Sequence, residues 1–253
     1  MWSGDYSFLL RQLILKDFRI RYRNMSLGVF WSLVNPLVMM SVYTYVFTKI
    51  FTNPIPYFTV HLLSALISYN FFSYAWVAST TSLLDNVGFV KRIPIRREII
   101  PIAAVLSNLT HLVIQLLLLV GFVYGSGLKV TGVWLWLPLV WGLELLFIIG
   151  LGLASSALFV IVRDTRYVVE SVIVVLFWIV PVIYSFDMVP VEFRNLYQYN
   201  PLAALILATH QVVIGGHAPS TVLLTKLTGV SFASLFAGLG VFRLFERRFY
   251  EYL

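Results

Sequence analysis

Residues 133–162 read VWLWLPLVWGLELLFIIGLGLASSALFVIV, with Glu144 as the one charge in the run. About 20 consecutive apolar residues span the hydrocarbon core of a bilayer as a helix. This run exceeds that length, so it predicts a membrane-spanning helix rather than a buried helix of a soluble domain. Five more charge-poor runs lie around it, at 25–48, 57–84, 99–124, 171–184 (extended by Phe186) and 227–242. Six runs in 253 residues leave no length for a soluble catalytic domain. The predicted fold is an all-α membrane protein with six transmembrane helices.

Composition agrees. Hydrophobic residues make up 60% of the chain, charged residues 11%, and the mean hydropathy is +0.88. A soluble domain carries about 25% charged residues. Cysteine is absent, which excludes disulfides and thiolate metal sites. No metal site is expected. The first residues lack a basic stretch followed by an apolar core and a small-residue cleavage site, so no cleaved signal peptide is expected.

The net charge of +7 is unevenly placed. Of the 18 Lys and Arg residues, all but Lys49, Lys129, Arg194 and Lys226 flank the runs on one side. The positive-inside rule then places both termini in the cytoplasm of a multi-pass protein. This distribution reads as membrane topology, not nucleic-acid binding. The N-terminal segment 1–24 forms a separate unit. Between Tyr6 and Arg23, Gln12, Lys16, Arg19 and Arg23 share one helical face while Leu10, Ile14 and Phe18 oppose them. This pattern predicts an amphipathic interfacial helix, either a surface anchor or a scaffold for a cytoplasmic partner.

Further blocks follow a recognisable order. RIRYRNMSLG (19–28) leads to Trp31, then Asn35-Pro36-Leu37 and Tyr45-Val46-Phe47. The second cytoplasmic loop reads NVGFVKRIPIRREIIP (86–101). Arg163-Asp164, Pro181-Val182-Ile183-Tyr184, Val189-Pro190 and Asn200-Pro201-Leu202 complete the series. In register and over nearly the whole chain, these blocks resemble the ABC-2 type permeases that export polysaccharides: O-antigen, capsule and teichoic acid. Two departures are Val180 before Pro181, where similar proteins often have serine, and His210, where many carry arginine.

The resemblance implies a transport subunit, not an enzyme. It implies a homodimer of this chain with two ATP-binding subunits, which would hold ATP and Mg, in the bacterial inner membrane. The chain has no Gly-x-x-x-x-Gly-Lys-Ser/Thr loop of its own; Gly125-Ser126-Gly127-Leu128-Lys129 lacks the spacing. The implied substrate is a polysaccharide, lipid-linked O-antigen or a related glycan. Alternatives are an ABC-2 permease for a drug or lipid, or an intramembrane enzyme of glycan-lipid metabolism. The four histidines are too scattered to suggest catalysis.

The cytoplasmic loops 85–98 and 163–170 carry Lys91, Arg92, Arg96, Arg97, Arg163, Asp164 and Arg166. By composition these residues set topology and meet anionic lipid. By resemblance they contact the ATPase subunit. Asp164 is expected to pair with Arg166 or to cap the following helix. Segment 185–221 follows span five. Its apolar stretch 202–214 is too short to span, which predicts a re-entrant or interfacial helix started by Asn200 and Pro201.

Aromatic residues are 16% of the chain. Tyr43, Phe47 and Phe51 recur at i+4 in span one, and Phe177 and Tyr184 lie seven apart in span five. By spacing they read as packing or lipid contacts; by resemblance they line a substrate channel, where sugar rings slide on aromatic faces. Glu144 is a buried carboxylate inside a span and a functional hypothesis by default. An interhelical hydrogen bond or a protonated acid is the expectation, with His61 and His111 as possible partners. Gly150, Gly152, Ala154 and Ser156 supply small residues for close helix packing.

Overall fold

The computed structural model describes residues 6–23, 30–51, 55–92 and 96–252. They form α1 (Tyr6–Tyr22), α2 (Trp31–Tyr45), α3 (Phe58–Asp85), α4 (Val87–Arg92), α5 (Ile99–Ser107), α6 (Leu109–Gly125), α7 (Leu137–Ile161), α8 (Thr165–Ile179), α9 (Val191–Tyr197), α10 (Pro201–Val213), α11 (Thr221–Glu246) and α12 (Phe249–Tyr252). Among the described residues there is no strand.

Four helical stretches are long and apolar enough to cross a membrane: Trp31–Ile50, Ile99–Gly125, Gly132–Ile161 and Thr221–Glu246. They match the predicted spans one, three, four and six. The second predicted span is the 28-residue α3, long enough but diluted by polar residues. The fifth is α8, only 15 residues long.

α3 runs through the centre and packs on α7, α5, α6, α10 and α2. Its buried hydroxyl residues are satisfied, while His61 Nε2 has no hydrogen-bond partner among the described residues. Thr80 Oγ1 donates to Trp76 O at 2.8 Å and Ser79 Oγ to Pro101 O at 3.1 Å. Trp76 Nε1 donates to Ser155 Oγ at 3.2 Å, tying α3 to α7. Small hydroxyl residues thus permit close packing and link helices where apolar surface alone gives lipid-embedded helices little reason to associate.

The closest packing joins α7 to α11. A Cβ on Gly150 would strike the backbone of Ser234, and one on Gly238 the backbone of Gly150. Ser234 Oγ donates to Phe147 O at 3.0 Å. These pairings advance together along both helices, so α7 and α11 run parallel. Gly152 abuts Ser79 of α3, where an added Cβ would strike the serine side chain. The small-residue expectation therefore holds at Gly150 and Gly152. Gly238 and Ser234 complete the seam from the other side.

In α2 only Ser32, Pro36 and Met40 are buried, a single i, i+4 stripe. Pro36 has no N–H, so Ser32 O loses its helical donor. Gln115 of α6 replaces it, donating from Nε2 at 3.2 Å. An apparent helix defect is thereby converted into a contact between helices.

Three expectations are corrected. First, α1 buries Leu9 and Leu13 against Leu83, Ile100 and Phe249, while Leu10 and Ile14 only flank that cluster. The packed face is rotated one residue because α5, rather than a flat lipid surface, receives it. Second, span three crosses as expected over Ile99–Gly125, but with a one-residue break at Asn108, whose Nδ2 turns back to Ala104 O at 2.8 Å. Third, α8 ends at Ile179 and Val180 is extended (φ −86°, ψ 151°), so span five does not continue helically to Tyr184. Pro181 disfavours a helical Val180 by steric clash and offers no N–H. Val180, Val182 and Ile183 then fold into the core.

Beyond α8, segment 185–221 contains a 3-10 turn at Phe186–Met188, α9 and α10. Asn200 Oδ1 accepts from Leu202 N at 3.1 Å with Pro201 in the first turn, as expected. α10 is buried on α3, α11 and α7. Lys226 of α11 donates to Asn195 Oδ1 at 2.9 Å and Gln198 Oε1 at 3.2 Å, holding the end of α9.

Candidate functional site

Tyr43, Phe47 and Phe51 lie on successive turns from α2 into the π-helical turn Val46–Ile50, which ends at Phe51. Phe51 and Phe47 have ring centroids 5.7 Å apart, and Phe47 and Tyr43 6.5 Å. Tyr43 stacks on Phe177 of α8 at 6.0 Å. Four of the five predicted channel residues therefore form one continuous aromatic row across two helices. Sequence reasoning missed Phe58, 6.2 Å from Phe47, and Tyr69, edge-on to Phe177 at 5.2 Å. Both sit in α3, where spacing gives no sign of which face meets α2 and α8.

Tyr184 is placed differently. It lies past the end of α8, so seven-residue spacing does not put it on the Phe177 face. Its hydroxyl hydrogen-bonds with Tyr197 of α9. The row is half-buried along Tyr43, Phe47 and Phe177, whereas Phe51 is 61% exposed. α2 and α8 are among the least buried of the long helices; α8 buries Val169 alone.

A cavity of about 610 Å³ opens below this row, toward the basic end of the bundle. Its lining includes Trp31 and Asn35 of α2, Tyr74 of α3, His111 and Gln115 of α6 and Glu170 of α8. Asn35 Nδ2 donates to Tyr74 Oη at 2.7 Å.

The predicted ATPase-contact residues divide into two groups. Lys91, Arg96, Arg163, Asp164 and Arg166 are exposed. Arg97 is half-buried: Nη1 donates to Glu246 O at 3.3 Å and its guanidinium lies 5.8 Å over the Phe249 ring. A cation there complements the C-terminal end of α11. Arg97 thus ties the loop to the chain's C-terminal helix. Arg96 lies 5.8 Å over Tyr6 of α1, and Lys16 of α1 hydrogen-bonds with Asn86. Loop, α1 and α12 form one connected surface. The Arg92 side chain and residues 93–95, with the Pro94 break, lie outside the described residues.

Asp164 neither caps α8 nor pairs with Arg166. Arg166 Nε instead donates to Glu170 Oε1 at 2.8 Å, one turn along the same helix.

Glu144 is 0% exposed, and neither carboxyl oxygen has a hydrogen-bond partner. The expected interhelical bond is absent among the described residues. His61 stacks on His210 at 3.8 Å, and His111 lies by Tyr74 at 6.4 Å. Ser231, also buried and unpartnered, precedes Ser234 by three residues as Glu144 precedes Phe147. Both lie along the α7–α11 seam. Removing an unsatisfied buried polar group with its shape conserved is neutral or stabilising. Glu144→Met should accordingly raise the thermal stability of the detergent-solubilised protein by about 1–3 kcal/mol and leave transport intact. A loss of transport in a well-folded Glu144→Met protein would instead make the carboxyl a working group.

Comparison with known proteins supplies relatives of the whole chain. A family model described as ABC-2 type transporter matches residues 9–213. The O-antigen export system permease protein RfbA of Klebsiella pneumoniae is 28% identical over 247 residues, covering 97% of this chain and 95% of its own. The RfbA of Myxococcus xanthus is 25% identical over 253 residues (98% and 96%). The polysialic acid transport protein KpsM of Escherichia coli is 25% identical over 240 residues (92% of each).

Proposed function

We propose, because this chain belongs to the ABC-2 type transporter family, that it is the multi-pass permease subunit of an ATP-driven exporter moving a polysaccharide, O-antigen or a related glycan, across the cytoplasmic membrane. The observation that carries this reading is the aromatic row of Tyr43, Phe47, Phe51 and Phe177 on two largely unburied helices. Relatives named for O-antigen export and polysialic acid transport match nearly end to end. Sugars present flat C–H faces that pack on such rings.

The working assembly is two copies of this chain with two ATP-binding subunits, which hold ATP and Mg. Six spans are supported by direction. α7 and α11 run parallel, so the chain between them must return across the bundle. α8 is the helix available for that return: at 1.5 Å per residue its 15 residues cover about 22 Å. α9 and α10 are the re-entrant pair on the far side. With both termini cytoplasmic, Glu251→Cys should be shielded from an impermeant thiol reagent in intact cells and Glu192→Cys labelled. Labelling at position 251 reverses the orientation.

The test of function is reconstitution. The purified chain alone should not hydrolyse ATP. With its cognate ATPase in liposomes, hydrolysis should appear and glycan should cross the bilayer. Arg96→Ala should weaken ATPase docking directly, while Arg97→Ala and Phe249→Ala should weaken coupling non-additively because they break one tie. Robust turnover by the isolated chain, or transport of a lipid or drug but no glycan, overturns the reading.

A further inference from the structure

We propose that the cavity below the aromatic row is a sugar-binding subsite, the point where an uncharged sugar unit of the glycan is held before it reaches Tyr43 and Phe177; this rests on the reading of the chain as a glycan exporter. The volume of about 610 Å³ is within the range of small-ligand sites, about 300–1,000 Å³. Its chemistry selects the ligand class. Among the described lining residues there is neither Lys nor Arg, and Glu170 contributes a carboxylate. The Arg166 guanidinium beside the wall is already paired with Glu170, so a phosphate or pyrophosphate would meet that carboxylate and no free cation of the described lining. An acyl chain would leave the Asn35 amide oxygen, whose amide nitrogen already donates to Tyr74, facing hydrocarbon, which costs free energy. A sugar ring satisfies both kinds of wall, with C–H faces on aromatic rings and hydroxyls on polar groups.

Two rings stand ready as platforms: Trp31, 49% exposed, and Tyr74, 40% exposed. The Asn35 amide already donates to Tyr74 Oη at 2.7 Å, which fixes the phenol and leaves the amide oxygen to accept. Arg166 engages Glu170 through Oε1, which positions that carboxylate at the cavity wall.

The cavity adjoins the row through one shared neighbour, Tyr69. Ile173, on its wall, accepts a hydrogen bond from Tyr69, and Tyr69 packs edge-on to Phe177. Along α8, Ile173 to Phe177 is one turn; along α2, Asn35 to Tyr43 is two. A unit leaving the cavity meets the stacked pair next.

The experiment uses site-specific photocrosslinking in cells that carry the full transporter and make the polymer. p-Benzoylphenylalanine replaces Ala78 on the cavity wall, Phe47 in the row, or Phe236 on the exposed face of α11, in separate strains. The expected result is a glycan adduct at positions 78 and 47, at least tenfold stronger than at 236 and lost when polymer synthesis is blocked. If position 47 captures glycan while 78 captures lipid, a second copy of the chain or nothing, the cavity proposal falls and the transport reading stands. Equal capture at 236 also overturns the subsite, since proximity is then unspecific. If neither 78 nor 47 captures glycan, both fall.

Discussion

Gly238→Val should leave almost no folded protein in the membrane. At Gly238 an added Cβ lands on the backbone of Gly150, and at Gly150 it lands on the backbone of Ser234. A flexible side chain can swing aside, but a helix backbone can give way only if two whole helices separate. Ordinary overpacking of a core costs about 1–3 kcal/mol. Here separation also forfeits the Ser234–Phe147 hydrogen bond and the contacts along the most extensive helix pair of the bundle. Every 1.4 kcal/mol is about a tenfold change in the folded ratio, so monodisperse protein after solubilisation should fall at least that far. Gly240→Val is the control: the same helix, two residues on, with nothing within 4 Å of the added Cβ. Its yield should match the unmodified chain. Equal yields for the two variants would show that the helices do not meet along this seam.

Half of that seam was legible in the sequence. Gly150 stands in an apolar run with Gly152, where small residues four or fewer apart mark close helix approach, although Gly152 faces Ser79 of α3 and not α11. Gly238 and Ser234 carry the same signal, but they sit among Gly229, Ala233, Ala237 and Gly240. Composition cannot choose which small face meets a neighbour. The span boundaries show a similar division. Length and hydropathy located α7 and α11, because a bilayer imposes them. They overextended span five, because Val182 and Ile183 are apolar for another reason: after Pro181 they return to the core. In α1 the true packing line, Leu9 and Leu13, differs from the predicted one by a single residue. A surface helix reads its orientation from the whole apolar arc, and tertiary contact with α5 decided within it.

The charged residues follow the same logic. Fourfold spacing in sequence identifies a partner on the same helix, and Arg166 chose Glu170 over the nearer Asp164 for that reason: i, i+4 pairs face each other. Arg97 was indistinguishable from Arg96 by sequence. Their separation arises because α11 ends beneath one and not the other, a fact of tertiary structure alone. Glu144 shows the limit of the reverse kind. Its burial was legible, but its lack of a partner was not, since that depends on where His61 went. His61 stacked on His210 instead.

Tyr43→Ala with Phe47→Ala should abolish most glycan export while the permease still inserts and still binds its ATPase. The two rings are the centre of the row: Phe47 touches Phe51 and Phe58, and Tyr43 carries the crossing to Phe177. Each aromatic contact is worth about 0.5–1.5 kcal/mol beyond simple burial. On the proposed path, weak contacts of this size would hold a passing polymer at each step without trapping it, and losing two adjacent ones would open a gap that the sugar must cross unsupported. The same gap removes the apolar plug from an empty path, so an ion leak should accompany the export defect. Both residues are only half-buried, whereas Phe72, on the same core, is fully so. Phe72→Ala therefore supplies the contrast. A buried aromatic truncated to alanine costs about 3–5 kcal/mol, and its main symptom should be lost thermal stability and yield. Export assays, conductance across liposomes and melting curves on the two variants separate the roles. If the Tyr43/Phe47 double variant melts as early as Phe72→Ala and its export falls only in proportion to lost protein, the row is packing, and the polymer takes another route.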